Sequence, residues 1–249
     1  MSLILTGGAD GVDAAAMHMC LINDHKLHVY IPRYHRLADT VRRVQSGQLT
    51  PMGWKISQRD EKTSRIVPIG HHHHHHDYNL TDDNFLRDHV TIADPQCRFA
   101  YQACCRVRPD FAGYSDASKA LIMLNVSIVD RCDALFAFGW ADRRSARDPL
   151  GVIWHLRVKG DTGWSVELAQ LLHKPVYVYD LQCEQWLTHL PQTDMFTPCG
   201  PPQLTPVSAI VGSRRFPSHL GAKGYNALFD LILTADINYS PEERKNIDS

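Results

Sequence analysis

The chain has 249 residues, 44% of them hydrophobic, and 26 Lys plus Arg stand against 27 Asp plus Glu. The resulting net charge of −1 excludes nucleic-acid binding by bulk positive charge, leaving only a local patch such as Arg143, Arg144 and Arg147. No apolar run approaches the roughly 20 residues of a spanning helix, and the opening MSLILTGGADG lacks the basic start of a signal peptide. A cytoplasmic protein with no membrane partner is expected. A chain of this size buries about three quarters of its unfolded surface, so one domain spanning 1–249 is expected. The seven cysteines are odd in number and form no CxxC pairs, so they read as reduced thiols rather than a structural zinc site.

In chain order, Leu3–Thr6 is an apolar run leading into Gly7-Gly8-Ala9-Asp10-Gly11. Val12–Asn23 then reads as a helix and Leu27–Ile31 as a second strand, which together make one βαβ unit. Residues 36–112 are irregular and read as an insertion, with a helix expected between Thr81 and His89. Within the insertion, the six consecutive histidines His71–His76 look like an affinity tag or an inert loop, so no metal is assigned.

Regular patterning returns with a helix over Ala117–Arg131, where Ala120, Leu121, Leu124, Ile128 and Val129 have helical spacing. Asp133–Phe138 and Pro175–Tyr179 read as buried strands, separated by Gly160-Asp161-Thr162-Gly163 and a helix over Trp164–Leu172. Residues 181–206, rich in Pro, Gln and Thr, read as a surface linker. Ala209–Val211 is the last strand, followed by Gly212-Ser213-Arg214-Arg215-Phe216 and a helix from about Leu220 to Leu233. Apolar strands alternating with amphipathic helices predict an α/β fold, a mostly parallel sheet covered by helices on both faces.

Three glycine-bearing turns thus fall at one sheet edge: GGADGVD, GDTGW and GSRRF. Glycine lets a ligand approach the backbone, and a helix N-terminus offers free N–H groups and a positive dipole end. A phosphate-bearing ligand is the chemistry such an edge suits. Candidate contacts are Gly7, Gly8, Gly11, Asp13, Gly160, Thr162, Gly163, Gly212 and Ser213, with Arg214 and Arg215 as forked phosphate donors. Trp164 is placed to stack on a base. Neither a Walker A loop nor a proper GxGxxG is present.

These segments carry a resemblance. Leu3–Ala16, LILTGGADGVDAAA, resembles the GGA-x-G-x-D segment of the LOG and DNA-processing-protein-A-like (SLOG) superfamily of Rossmann-like nucleotide binders. AIVGSRRF at 209–216 resembles the first strand and loop of that fold, and GDTGWSVE at 160–167 its PGG-x-GT-x-x-E loop. Asn125 with Ile128 is similar to its RN-x-x-I segment, with Leu124 in the arginine's place. Because the GSR strand comes last here, the resemblance implies a circularly permuted Rossmann-like three-layer α/β/α fold. It further implies a homodimer that binds or carries a nucleotide or pterin-type phosphate ligand, as molybdenum-cofactor carriers of related fold do. The alternative it implies is a phosphoribohydrolase that cleaves the N-glycosidic bond of a nucleoside 5′-monophosphate, with Glu167 as the catalytic carboxylate. A single-stranded DNA binder is a third reading, disfavoured by the charge.

Overall fold

The computed structural model describes residues 2–9, 11–22, 25–32, 57–59, 66–68, 90–93, 96–141, 146–147, 153–154, 156–213 and 221–233. The chain begins with β1 (Leu3–Gly7), α1 (Val12–Ile22) and β2 (Lys26–Ile31). It continues through β3 (Ser57–Arg59), β4 (Ile66–Pro68), β5 (Val90–Ile92), α2 (Arg98–Val107), a 3-10 turn (Pro109–Gly113) and α3 (Asp116–Arg131). Then come β6 (Ala134–Gly139), β7 (Ala146–Arg147), β8 (Ile153–Trp154), α4 (Asp161–Leu171) and β9 (Val176–Asp180). The last elements are β10 (Gln185–Leu190), β11 (Met195–Cys199), β12 (Val207–Gly212) and α5 (Gly221–Leu233).

Ten strands form one sheet in the order β5-β2-β1-β12-β6-β9-β10-β11-β8-β7, while β3 and β4 pair with each other. From β5 to β9 every neighbouring pair is parallel. The chain's last strand therefore lies at the centre, between β1 and β6. The register sets Gly212 opposite Phe138 and Gly139 opposite Asp180, so the strands end together at one carboxyl edge.

Period-two alternation along the strands divides the core between two faces. Ile4, Phe136, Phe138 and Ile210 point to one face, where α1 and α5 bring Met17, Leu228 and Ile232. Leu5, Leu135, Ala137 and Ala209 point to the other, where α3 and α4 bring Ile128, Val129, Val166 and Ala169. This is the expected three-layer α/β/α arrangement. Fully buried side chains such as Phe136 and Phe138 contribute roughly 1.5–3 kcal/mol each. Helix α3 is closed at both ends: Ser115 Oγ accepts from Ser118 N–H, and Lys174 Nζ donates to the carbonyls of Asp130 and Cys132.

Two readings are corrected here. Residues 181–206 are not a bare linker: β10 and β11 form an antiparallel hairpin that extends the sheet from β9 and buries Trp186, Leu187 and Phe196. Pro198 and the scattered Thr and Gln residues hide its apolar face in the sequence. The stretch 36–112 is not wholly irregular, since it holds β5 and α2, and α2 buries Ala100, Ala103 and Cys104 against α3 and α4. The helix expected at 81–89 lies outside the described residues, as does the histidine run His71–His76.

All seven thiols are free. Burial pushes the Cys104 thiol up to about 12 and the Cys132 thiol up to about 11, and it raises that of Cys20 as well. In a native disulfide-exchange titration at pH 8, the exposed Cys183 should react first. Cys20, Cys104 and Cys132 should react only on unfolding. Rapid native labelling of all seven would contradict this packing.

Candidate functional site

The carboxyl edge carries a small cleft of about 40 Å3 between the end of β1, the middle of α3 and the start of α4. Gly7, Gly8 and Asp13 come to it from the first turn, Asn125 from α3, Thr162 from α4 and Gly212 from β12. These positions are far apart in the chain, and all six were expected site residues. The sheet accounts for their meeting. Consecutive parallel strands deliver their following turns to the same edge.

Gly7 cannot be replaced without displacing Asp13, because a Cβ there would stand 2.4 Å from the Asp13 Oδ2. Asp13 itself is buried in the first turn of α1, where a carboxylate favours the helix dipole. Gly11, with φ of 81°, completes the turn but does not line the cleft.

Not every expected contact is offered to a ligand. The backbone of Ser213 is engaged within the fold, its N–H donating to the Phe138 carbonyl and its carbonyl accepting from Val12 N–H. The first N–H of α1 is therefore taken by the protein. Arg214 and Arg215 lie outside the described residues, as do Arg143 and Arg144. Arg147 is described only as part of β7.

Helix α4 begins three residues earlier than its sequence suggests, and this sorts its residues between two walls. Asp161 and Thr162 lie four and three residues before Ser165, and all three line the small cleft. Gly160, Trp164 and Glu167 follow the next stripe and line an adjoining open groove of about 1200 Å3. Asp161 and Leu121 border both spaces. Ser165 was missed because a helix starting at Trp164 hides its phase with Thr162. Its side chain is fully buried and its Oγ has no hydrogen-bond partner.

Gly163 is a packing glycine rather than a ligand contact. Its Cβ would lie 2.1 Å from the Val158 carbonyl oxygen. Trp164 is also corrected as a stacking platform. It is 3% exposed, sits edge-on to Phe111 and Tyr114, and carries the Arg108 guanidinium 4.4 Å above its ring.

Arg108 is the residue that sequence reasoning missed altogether. It follows α2 directly, and its fork grips Glu167 with both arms. Nε donates to Oε2 at 2.9 Å and Nη2 to Oε1 at 2.8 Å. The hydrogen bond to Glu167 raises the guanidinium pKa further, against the lowering effect of burial. Leu124 is buried in the same core cluster as Ile128. Nothing local in the sequence links Arg108 to Glu167, since 59 residues separate them.

Chemically, the edge offers a small cleft lined by Leu121, Leu124, Ile128 and Val211 as well as by the polar side chains of Asn125, Thr162 and Ser165, and it shares Leu121 and Asp161 with a much larger groove. Among the described residues lining the cleft there is no Lys, Arg or His. No described helix is long and apolar enough to cross a membrane. No family model matches the chain, and no curated protein or solved structure does either.

Proposed function

We propose that this chain binds or carries a small phosphate-bearing ligand of nucleotide or pterin type. On this reading the phosphate sits in the cleft and the body of the ligand lies in the groove. The observation that carries the reading is the convergence of Gly7, Gly8, Asn125, Thr162 and Gly212 on one cleft at the carboxyl ends of parallel strands. Crevices at this position in open α/β sheets are where such ligands bind.

The SLOG resemblance and its circular permutation belong to the same proposal. Counted from β12 and then through β1, β2, β6 and β9, with the short edge strand β5 set aside, the sheet reads 3-2-1-4-5, which matches the first five strands of the doubly wound order 3-2-1-4-5-6. The central position of the last strand is what a permuted chain requires. A cytoplasmic homodimer is part of this reading too.

A binder is favoured over the phosphoribohydrolase by the state of Glu167. A hydrolytic carboxylate must reach water or sugar with its oxygens, and each Glu167 oxygen already commits one of its two acceptor sites to Arg108. Both Glu167 oxygens are held in the Arg108 fork.

Native mass spectrometry of the purified protein, followed by identification of what denaturation releases, is expected to give a nucleotide or pterin phosphate. Calorimetry against a panel of such ligands is expected to show at least one binding at micromolar strength or better. A panel with no heat and no thermal shift would end the proposal. Incubation with nucleoside monophosphates is expected to release no ribose 5-phosphate. Release that is lost in Glu167→Gln would transfer the assignment to the hydrolase.

A further inference from the structure

Arg108 lines the open groove with its side chain 34% exposed, yet it is held from several directions. Its fork is closed on Glu167, with Nε and Nη2 donating at 2.9 and 2.8 Å. One face lies over the buried Trp164 ring, with Cζ 4.4 Å from the ring centroid. Tyr114, whose hydroxyl donates to Asp110 at 3.3 Å, interacts with the guanidinium as well. Phe111 and Tyr114 in turn brace the Trp164 ring edge-on. An arginine ordinarily loses much rotamer freedom when it engages a ligand. Here that freedom is already lost in the folded chain, so a ligand meets a pre-organised group.

What this group can offer is set by what its neighbours have taken. Its charge is matched by the Glu167 carboxylate. A phosphate at Arg108 would have to displace that carboxylate or sit beside it, where like charge opposes it. The planar face behaves differently. A guanidinium points its N–H groups out of its edges, is weakly hydrated, and stacks on aromatic rings. A cation lying between two rings is attracted by both. Leu121, Ile122, Leu156 and Val158 also line the groove, which suits a flat, largely apolar body.

The placement relative to the cleft fits one ligand reaching both spaces. Trp164 and Ser165 are consecutive on α4, so the supported guanidinium and the cleft lie on neighbouring stripes of one helix. Ser165 is fully buried on the cleft side, and its Oγ has no hydrogen-bond partner. Buried hydroxyls are nearly always hydrogen-bonded, so an orphan on a cleft wall marks where a bound group supplies the missing bond. We infer that the groove is a ring subsite, in which a planar heteroaromatic ring stacks on the outer face of Arg108 while Trp164 supports the guanidinium from behind. The ligand class then narrows to phosphates that carry such a ring, in preference to sugar phosphates. Every base has a π face, so the subsite tolerates different bases. The phosphate rests on the reading in the preceding section; the ring is measured on its own.

Calorimetry compares AMP, ribose 5-phosphate and adenosine on the full-length wild-type chain and on Arg108→Lys, which keeps the charge and removes the plane. AMP should bind the wild-type chain at least about 10-fold more tightly than ribose 5-phosphate. Arg108→Lys should weaken AMP by about 10-fold and leave ribose 5-phosphate within about 2-fold, the second ligand reporting that the fold is intact. Equal affinity of AMP and ribose 5-phosphate for the wild-type chain would overturn the inference and leave the phosphate reading standing. That comparison needs no variant. Parallel weakening of both ligands in Arg108→Lys would also overturn it, because the arginine would then act on the phosphate or on the fold. Adenosine that binds as tightly as AMP and is weakened in Arg108→Lys would uphold the ring subsite and remove the phosphate reading. A wild-type chain that binds none of the three would overturn both.

Discussion

Gly163→Ala should destabilise the chain by about 2 kcal/mol and loosen the start of α4. The added methyl would stand 2.1 Å from the Val158 carbonyl oxygen and 3.1 Å from its carbon. Those are backbone atoms, so no side chain can swing aside to make room. Val158 is itself fixed, its side chain buried and its backbone bridged to Ala141. Relief must therefore come from moving α4 away from the 156–159 segment. Overpacking of this kind costs about 1–3 kcal/mol. The higher helix propensity of alanine returns up to about 1 kcal/mol. The displacement would carry Thr162 and Ser165 off the cleft, so ligand affinity should fall together with stability. Gly200→Ala is the control, because nothing lies within 4 Å of its Cβ. Its effect should stay within about 0.5 kcal/mol. Urea unfolding of the two variants reads the difference. Equal midpoints would show that α4 is not held at this contact.

Arg108→Ala has the second large expected effect, about 2 kcal/mol. It removes two charge-assisted hydrogen bonds at 2.8 and 2.9 Å and the cation over Trp164. It also leaves Glu167, whose side chain is 26% exposed, without its counter-charge. The Arg108 side chain is 34% exposed, so solvent screens part of the attraction and the effect stays well below that of a buried pair. Lysine should restore little. It lacks the planar fork that meets both carboxylate oxygens at once, and its ammonium cannot lie flat over the indole. A double-mutant cycle with Glu167→Gln should give a coupling energy above about 1 kcal/mol. The intrinsic fluorescence of Arg108→Ala should also change as the Trp164 environment opens. Additive single effects would mean that the pair is incidental.

The parallel core and the cleft differ in how legible they were in the sequence. The parallel core was readable because its strands are short apolar runs bounded by glycine or proline. Leu3–Thr6, Leu27–Ile31 and Asp133–Phe138 all fall within a residue or so of the strands observed. Strands buried on both faces have this continuous pattern. The β10–β11 hairpin was not readable, because only Trp186, Leu187 and Phe196 of its strand residues are buried and Pro198 sits within β11. The start of α4 was obscured by its glycines. Gly160, with φ of 70°, and Gly163 suggested a loop, whereas the first is the helix cap and the second lies in the first turn. That misplaced start hid Asp161 and Ser165 as site residues. The cleft contributions of Gly7, Asn125, Thr162 and Gly212 could be anticipated from turns and resemblance. Arg108 could not, since its partnership depends on the packing of α2 across α4, a tertiary contact with no local pattern.

The most direct test of the central claim is a calorimetric titration that separates the phosphate from the rest of the ligand. AMP and adenosine are titrated in parallel, in buffer containing MgCl2, into the wild-type chain and into Ser165→Val. AMP should bind the wild-type chain measurably and adenosine should not, and the variant should lose most of the AMP affinity. Adenosine binding as tightly as AMP, or AMP binding unaffected by Ser165→Val, would contradict the assignment of the cleft to the phosphate.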